Sequence, residues 1–290
     1  MDSPSSKAQV LADTLPQFKT LQNALIVLKY GGSVIEEAVY ADSILTDLGF
    51  LQQVGASVVV VHGGGKAISA KMREVGISPK FVNGLRFTDR KTISIVDSIL
   101  TKTINPQIVR SLVDRGTKAS GLSGKKVFAA KKIFSASPEG ERISLGFVGD
   151  ITKVSKNPVL NLLKKGVIPV ITPLAVSSSG DPLNVNADIA AARLAAELKA
   201  THLTFLSDVN GILEDTQHPD STIAQVSEVE IQSLRHAGVI NGGMLPKVNA
   251  SVDALKSGVK RVKMLNGQLA HSVLIDLFFN PRLGTEVILS

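Results

Sequence analysis

Two apolar runs that break off at glycines constrain this chain more than any other feature. They are Leu25-Ile26-Val27-Leu28-Lys29-Tyr30-Gly31-Gly32-Ser33 and Val58-Val59-Val60-Val61-His62-Gly63-Gly64-Gly65-Lys66. Each reads as a buried β-strand that ends in a tight turn and continues as an amphipathic helix. Glycines at such a turn let backbone N–H groups approach an anion, and the following helix adds the positive end of its dipole. Two cradles in one α/β unit imply two anionic groups held close together. Phosphoryl transfer between small molecules needs that arrangement. Lys29 ends the first strand, and a lysine is rarely buried without an anionic partner.

The rest of the chain keeps a strand–helix rhythm. Strands are expected over 25–30 and 57–62, and helices over about 34–53, 66–76 and 89–115. A buried strand over 166–172, an alanine-dense helix over 187–199 and a strand over 203–207 follow. Helices over 227–237 and 245–257, a strand over 260–264, a helix over 268–278 and a strand over 286–289 complete the pattern. Such alternation implies a mainly parallel sheet flanked by helices. Residues 117–155, rich in Gly, Ser and Lys with short apolar runs, read as β-hairpins at an edge. Residues 1–7 read as disordered. Residues 8–22 form a weakly amphipathic segment with Val10, Leu11, Leu15, Phe18 and Leu21, interrupted by Pro16. No repeat or flexible linker stands out, so two lobes sharing one sheet are expected, with a soft boundary near 173–187.

Composition narrows the function. With 290 residues, 44% of them hydrophobic, the chain can bury a large core. Aromatics make up 4% and Trp is absent, so platforms for stacking bases are scarce. The formal charge of +7 is spread along the chain. Nucleic-acid binding is therefore not expected, whereas a positive field suits ATP and carboxylate substrates. The absence of Cys excludes disulfides, thiolate catalysis and Cys-ligated metals. No apolar run reaches the roughly 18 residues of a membrane span, and the N-terminus resembles neither a signal nor a transit peptide. A cytoplasmic enzyme without membrane partners is expected.

Common nucleotide motifs fail. Val60 stands where a P-loop needs its first Gly before Gly65-Lys66, and Ala67 follows in place of Ser or Thr. The dinucleotide fingerprint breaks at Ile68. The sequence holds no HRD, DFG, HExxH or GxSxG. His62, His202, His218, His236 and His271 lack metal-ligand spacing and read as structural, so no protein-held metal is expected.

A specific set remains. Gly63-Gly64-Gly65 exceeds the single glycine a turn needs and favours close approach of backbone to a ligand. Asn83-Gly84-Leu85-Arg86 is a turn presenting an Arg, suited to bidentate carboxylate binding. Asn184-Val185-Asn186-Ala187-Asp188 stands at a helix start, where capping is the ordinary role. Ser207-Asp208-Val209-Asn210-Gly211 ends a strand in a turn signature. Gly242-Gly243-Met244-Leu245-Pro246-Lys247 opens a helix with a Lys in its first turn. That position opposes the dipole unless an anion is present, which points to phosphate.

In this order, Lys29-Tyr30-Gly31-Gly32, His62-Gly63-Gly64-Gly65 and the segments 83–86, 184–188, 207–211 and 243–247 resemble the amino-acid kinase superfamily. Within it they resemble the N-acetyl-L-glutamate kinases, from about residue 8 to the C-terminus. The glycine-ended strand and the 207–211 turn are shared across the superfamily, whereas 83–86 and 184–188 point to the acetylglutamate enzymes. The resemblance implies an α/β fold, a three-layer αβα sandwich with a mainly parallel central sheet. It implies an N-terminal extension (1–22), an N-lobe (23–180) for the amino-acid substrate and dimerisation, and a C-lobe (181–290) for the nucleotide. The implied reaction is ATP-dependent phosphorylation of the γ-carboxylate of N-acetyl-L-glutamate, in arginine biosynthesis, with Mg²⁺ carried on the ATP phosphates.

Carried over residue by residue, the resemblance makes Lys29 and Lys247 flank the transferring phosphoryl group, with Asp188 holding both lysines. Gly31, Gly32, Gly64 and Gly65 would donate backbone N–H bonds to phosphate and γ-carboxylate oxygens. Arg86 would bind the substrate α-carboxylate and Asn184 its amide region. Ser207, Asp208, Val209 and Gly211 would line the nucleotide site. The extension would be a helix that interlaces with a neighbour and joins dimers into a hexamer. His271, Asp276 and Gly284 would border a site for inhibitory L-arginine. The chemistry is coherent, because a γ-carboxylate is already ionised at neutral pH and needs no general base. The difficulty is to bring two anions together and stabilise negative charge spread over a loose transition state.

The chain departs from the family pattern at Ser33-Val34-Ile35, where Asn-Ala-Met is frequent, at Asp276, where Glu is usual, and at Arg282, where Gly is common. An N-acyl-aminoadipate kinase of lysine biosynthesis stays open, since one methylene is worth only about 1–3 kcal/mol in a pocket. Aspartate or UMP kinases leave 83–86 and 184–188 unexplained. A non-catalytic arginine-sensing homologue is the remaining alternative, and the joint presence of Lys29, Asp188 and Lys247 argues against it.

Overall fold

A computed structural model describes residues 3–31, 38–82, 84–136, 142–215, 217–218, 220–279 and 283–289. Gly32, Ser33, Val34, Ile35, Asn83 and Arg282 lie outside the described residues. The chain begins with α1 (Pro4–Asp13), α2 (Leu15–Leu21), β1 (Leu25–Tyr30), α3 (Ala38–Gln53), β2 (Ser57–His62) and α4 (Gly65–Glu74). Next come β3 (Phe81–Val82), β4 (Leu85–Arg86), α5 (Arg90–Ser98), a π-helical turn (Ile99–Ile104), α6 (Asn105–Val113) and β5 (Ala119–Leu122). Then β6 (Phe128–Ala136), β7 (Arg142–Val154), α7 (Asn157–Leu163), β8 (Ile168–Ile171), β9 (Leu174–Val176) and β10 (Pro182–Asn184) follow. The chain ends with α8 (Ala187–Leu198), β11 (His202–Ser207), β12 (Gln225–Ser227), α9 (Glu228–His236), α10 (Met244–Lys256), β13 (Arg261–Asn266), α11 (Ser272–Phe279) and β14 (Thr285–Ile288).

Eight strands form one sheet in the order β12-β14-β13-β11-β1-β2-β8-β5. Every neighbouring pair runs parallel except β13 and β14. Side chains alternate across a strand, so β1 supplies both faces. Ile26, Leu28 and Tyr30 enter a core shared with α3, α4, α5, α6 and α11. Val27 enters a second core shared with α7, α8, α9 and α10. Two cores on opposite faces make the αβα sandwich. Leu28 is fully buried, so Leu28→Ala would cost roughly 2–5 kcal/mol, in transfer and cavity terms together.

The alternation that buries Val27 also points Lys29 at the α8 face. Because β1, β2, β8 and β11 are parallel, their carboxyl ends share one edge, the usual place for a ligand in an open α/β sheet. The register sets Lys29 beside Val61 and Phe205, so Gly31, Gly63 and Ser207 follow at that edge.

Several expectations need correction. Residues 4–7 are helical: Pro4 opens α1 and Ser3 Oγ accepts from the Ser6 N–H at 3.2 Å. The segment 8–22 is two helices. The first buries none of its residues, while α2 packs on its own chain through Phe18, whose ring lies 4.9 Å from Phe278 and 6.0 Å from Phe50. The region 117–155 divides. β5 joins the main sheet beside β8, while β6 and β7 pair antiparallel and close a small barrel with β9 and β10. The expected helix over 89–115 carries a π turn in its middle.

Candidate active site

A cavity of about 240 Å³ opens at the carboxyl edge of the sheet. Lys29, Gly64, Gly65, Arg86, Asn184 and Asp188, singled out from widely separated motifs, all line it. Leu100, from the π turn, forms part of the wall. A second cavity of about 440 Å³ lies between α8 and α10 and takes in none of these residues.

Lys29 Nζ stands 3.0 Å from Asp188 Oδ1. Asp188 is held there by a cap two residues earlier: Asn186 Oδ1 accepts from the N–H groups of Asp188 (2.8 Å) and Ile189 (3.1 Å) and starts α8. The capping residue is thus Asn186, which leaves Asp188 and Asn184 for the cavity. Burial pushes the Asp188 carboxyl up, but attraction to Lys29 and Lys247 outweighs it and holds the group below the usual carboxylate value. Burial lowers Lys247 below the ordinary lysine range, and Lys29 adds to the fall while Asp188 and Asp208 oppose it. The lysine in the first turn of α10 therefore has its anions. One buried carboxylate thus pairs with the Lys29 ammonium and also feels the charge of Lys247.

The glycines fit tight surroundings. A Cβ on Gly31 would stand 2.7 Å from the Leu206 carbonyl oxygen. A Cβ on Gly64 would meet Ile104 Cδ1 at 2.6 Å and Leu100 Cδ2 at 2.8 Å, whereas Gly65 faces open space. The first N–H groups of α4 have no intrahelical acceptor and are available to an anion. Arg86 is buried; its Nη2 donates to Gly65 O (2.9 Å) and Ser69 Oγ (2.7 Å), and its guanidinium carbon lies 4.7 Å from the Phe81 ring centre. Burial lowers the Arg86 pKa from its usual value, with nearby Arg73 contributing. Asn184 Nδ2 donates to Thr88 Oγ1 at 3.3 Å.

At the end of β11, Ser207 is buried, and Asn266 Nδ2 donates to Asn210 Oδ1 at 2.8 Å, which ties the 207–211 turn to β13. Gly211 has φ 121°, a left-handed backbone, and a Cβ there would run into Thr285. The charge of Asp208, in this turn, acts on Lys247 and opposes the fall of its pKa.

The residues expected to border an arginine site have partners within the chain. Asp276 is buried and accepts from Arg261 Nη1 (3.1 Å) and Nη2 (3.2 Å), with Lys263 Nζ 2.5 Å away. An acidic group there does pair with a guanidinium, but it is this chain's own. His271 Nδ1 contacts Asp47 Oδ1 at 2.6 Å, and Gly284, at φ 65°, has no room for a Cβ beside the Met264 carbonyl. Ser69, Thr88, Leu100 and Asn105 escaped the sequence reading. They are single polar or apolar positions, three on helices and Thr88 at an isolated bridge with Gly146, with no glycine or charge of their own to mark them.

A mainly parallel sheet whose carboxyl edge carries glycine-ended strands and the buried Lys29–Asp188 pair fits a phosphotransferase. Residues 24–266 match the amino acid kinase family, and the chain belongs to it. Within that family it is similar to acetylglutamate kinases. It is 42% identical to the one from Pelotomaculum thermopropionicum, over 99% of both chains. It is 38% identical to the one from Akkermansia muciniphila, over 97% of this chain and 95% of that one. Among solved structures it superposes on N-acetylglutamate synthase from Neisseria gonorrhoeae, complexed with coenzyme A and N-acetyl-glutamate, with a TM-score of 0.83 and 26% identity. The match covers 99% of this chain and 63% of the synthase, so the chain spans less than two thirds of that protein.

Proposed function

We propose that this chain transfers the γ-phosphoryl group of ATP to the γ-carboxylate of N-acetyl-L-glutamate, the acyl-phosphate-forming step of arginine biosynthesis. The observation that carries this reading is the Lys29–Asp188 ion pair at the wall of a cavity that Arg86 also lines, with Lys247 near enough for its charge to act on Asp188. A carboxylate oxygen attacks the γ-phosphorus, the bond to the ADP oxygen breaks, and no proton needs to move. Lys29 and Lys247 stabilise charge on the equatorial oxygens, and Asp188 orients both. Gly31, Gly64 and Gly65 offer N–H groups, Arg86 receives the α-carboxylate, and Asn184 the amide region. Ser207, Asp208, Val209 and Gly211 face the nucleotide. Mg²⁺ carried on the ATP phosphates would supply charge neutralisation there; Asp188, paired with Lys29 and attracted by Lys247, suits an orienting role better than a metal ligand's. ATP-dependent phosphorylation on a panel of acetylglutamate, acetylaminoadipate, aspartate and UMP tests the reading, read as hydroxamate trapped from acyl phosphates and, for UMP, as ADP release. Hydroxamate from acetylglutamate alone, or far faster than from acetylaminoadipate, supports it; preference for any other acceptor overturns it.

The exposed Val10 and Leu11 of α1, with Leu15 at the start of α2, favour assembly through this segment, since a lone helix of α1's length is marginal in water without a partner. A hexamer, built as three dimers joined by α1, is the proposed state. Light scattering on the full chain and on a deletion of residues 1–22 tests it: a deletion that stays hexameric sinks the idea. L-arginine inhibition through Asp276 has to displace Arg261, so a weak response is expected from the full chain in an arginine titration.

A further inference from the structure

His62 closes β2 and is fully buried. Its Nδ1 lies 2.8 Å from the Gly63 carbonyl oxygen, and its Nε2 lies 3.1 Å from Asn105 Nδ2. A carbonyl oxygen only accepts and an amide nitrogen only donates, so the hydrogen sits on Nδ1 and Nε2 is bare. Asn105 Nδ2 spends its other hydrogen on Val170 O at 2.8 Å, which fixes the amide orientation. Burial lowers the His62 pKa to about 4, against the opposing pull of the Gly63 bond, so the neutral ring persists at physiological pH.

The Gly63–Gly64 peptide is trans, and in a trans peptide the C=O and the next N–H point in opposite directions. With the Gly63 carbonyl drawn towards His62, the Gly64 N–H points the opposite way, away from His62, and Gly64 itself lines the cavity. The Gly63 N–H is spent on Tyr30 O at 2.8 Å, so this peptide corner is held from both sides. Leu100 and Ile104 of the π turn close over Gly64, and Asn105 is the residue that follows that turn. Gly121 has no room for a Cβ because Asn105 Oδ1 occupies the space. A π turn beside a ligand cradle is a recurrent functional feature.

We propose that His62, oriented by Asn105, is a positioning residue: by pinning the Gly63 carbonyl it aims the Gly64 N–H at the oxygen that gains charge during transfer. The inference rests on the proposed phosphoryl transfer, and its first test does not need that reaction. In ¹⁵N-labelled full-length protein, His62 is expected to show the Nδ1–H tautomer unchanged from about pH 6 to about pH 9. An Nε2–H tautomer overturns the proposal. In kinetics, His62→Phe keeps an apolar ring and loses the donor. It is expected to lower kcat about 10-fold or more with KM for ATP within about 2-fold, as for a misaligned oxyanion donor.

His62→Asn puts an amide N–H where Nδ1 stood and is expected to keep kcat within about 3-fold of the parent. Equal kcat for His62→Phe and the parent, or equal loss in both variants, overturns the proposal. Should His62→Phe fail to fold, Asn105→Leu leaves the ring in place and removes the group that fixes its tautomer. A fall in kcat together with an Nε2–H signal supports the proposal, and an unchanged kcat overturns it. If the parent protein phosphorylates a different acceptor, the function reading fails; the kinetic arms then use that acceptor and the tautomer still decides.

Discussion

Replacing Asp188 by Asn keeps the side chain's shape and removes its charge. Lys29 Nζ lies 3.0 Å from Asp188 Oδ1, and both side chains are nearly buried, at 13% and 12% exposure. At that distance and an effective dielectric of about 20, the attraction is roughly 5–6 kcal/mol, offset by several kcal/mol of desolvation per ion. Removing one partner of such a pair costs roughly 3–5 kcal/mol, because a buried charge is left uncompensated. Here two ammonium groups remain, and they repel. Lys247 already lies below the ordinary lysine range and loses the attraction that opposes its fall. Two results follow. At neutral pH, kcat drops about 10²–10³-fold, as when an oxyanion donor is removed. The alkaline limb of kcat also shifts to lower pH. An ammonium acts only when protonated, so activity is lost as pH rises through its pKa, and a lower pKa brings that loss earlier.

The assay is hydroxamate formation against pH, with substrates saturating. Partial recovery of the variant at low pH supports the coupling; a limb that stays in place or moves to higher pH refutes it. Stability gives an independent sign check. Asp188 is depressed in the folded protein. Its contribution is therefore present above the unfolded value of about 3.9 and is lost as pH falls through the folded value. The stability gap between the parent and Asp188→Asn should narrow with acidification below about pH 4.

Other outcomes follow from the same geometry. Lys29→Ala and Lys247→Ala are expected to lower kcat about 10²-fold or more with smaller changes in either KM, since they act on charge that develops in transfer. Near-normal kcat in either variant removes that residue from the mechanism. Arg86→Lys loses the fork that holds Gly65 and Ser69, so KM for acetylglutamate should rise much more than KM for ATP. Equal changes in both would place Arg86 elsewhere. Gly31→Ala meets a backbone carbonyl oxygen, whereas Gly64→Ala meets the ends of two movable side chains. Thermal denaturation should therefore show the larger loss of Tm for Gly31→Ala, and the reverse order would contradict the packing described.

The readable part of this fold was the part that repeats a period. The strand at Leu25–Tyr30 alternates between two cores, and α8 is dense in alanine, so both were evident from the residues alone. The short strands β3, β9, β10 and β12 hold two or three residues each, too few for a period to appear. Ser3-Pro4 read as coil by composition, although a Ser cap followed by Pro is a helix start. In the site, glycines and charges carried the signal. Lys29, Arg86 and Asp188 were visible because each is costly to bury without a purpose. His62 and Asn105 were not, because they act through a hydrogen bond between a strand end and a helix interior 43 positions apart, which no local pattern reveals. Asp276 was visible as an acid, but its partners Arg261 and Lys263 come from a different element, so its prior engagement could only be seen in the fold.

The central claim is that the carboxylate oxygen itself takes the phosphoryl group in this cavity. Acetylglutamate labelled with ¹⁸O at both γ-carboxylate oxygens tests it directly. Attack of hydroxylamine on the acyl carbon of the product breaks the C–O bond, so the released phosphate keeps the bridging oxygen. Its ³¹P resonance is expected to show one ¹⁸O per phosphate for the parent protein, and that signal should fall in step with hydroxamate in Asp188→Asn. Unlabelled phosphate, formed at the same rate with and without acetylglutamate, would mean water is the acceptor and would contradict the account.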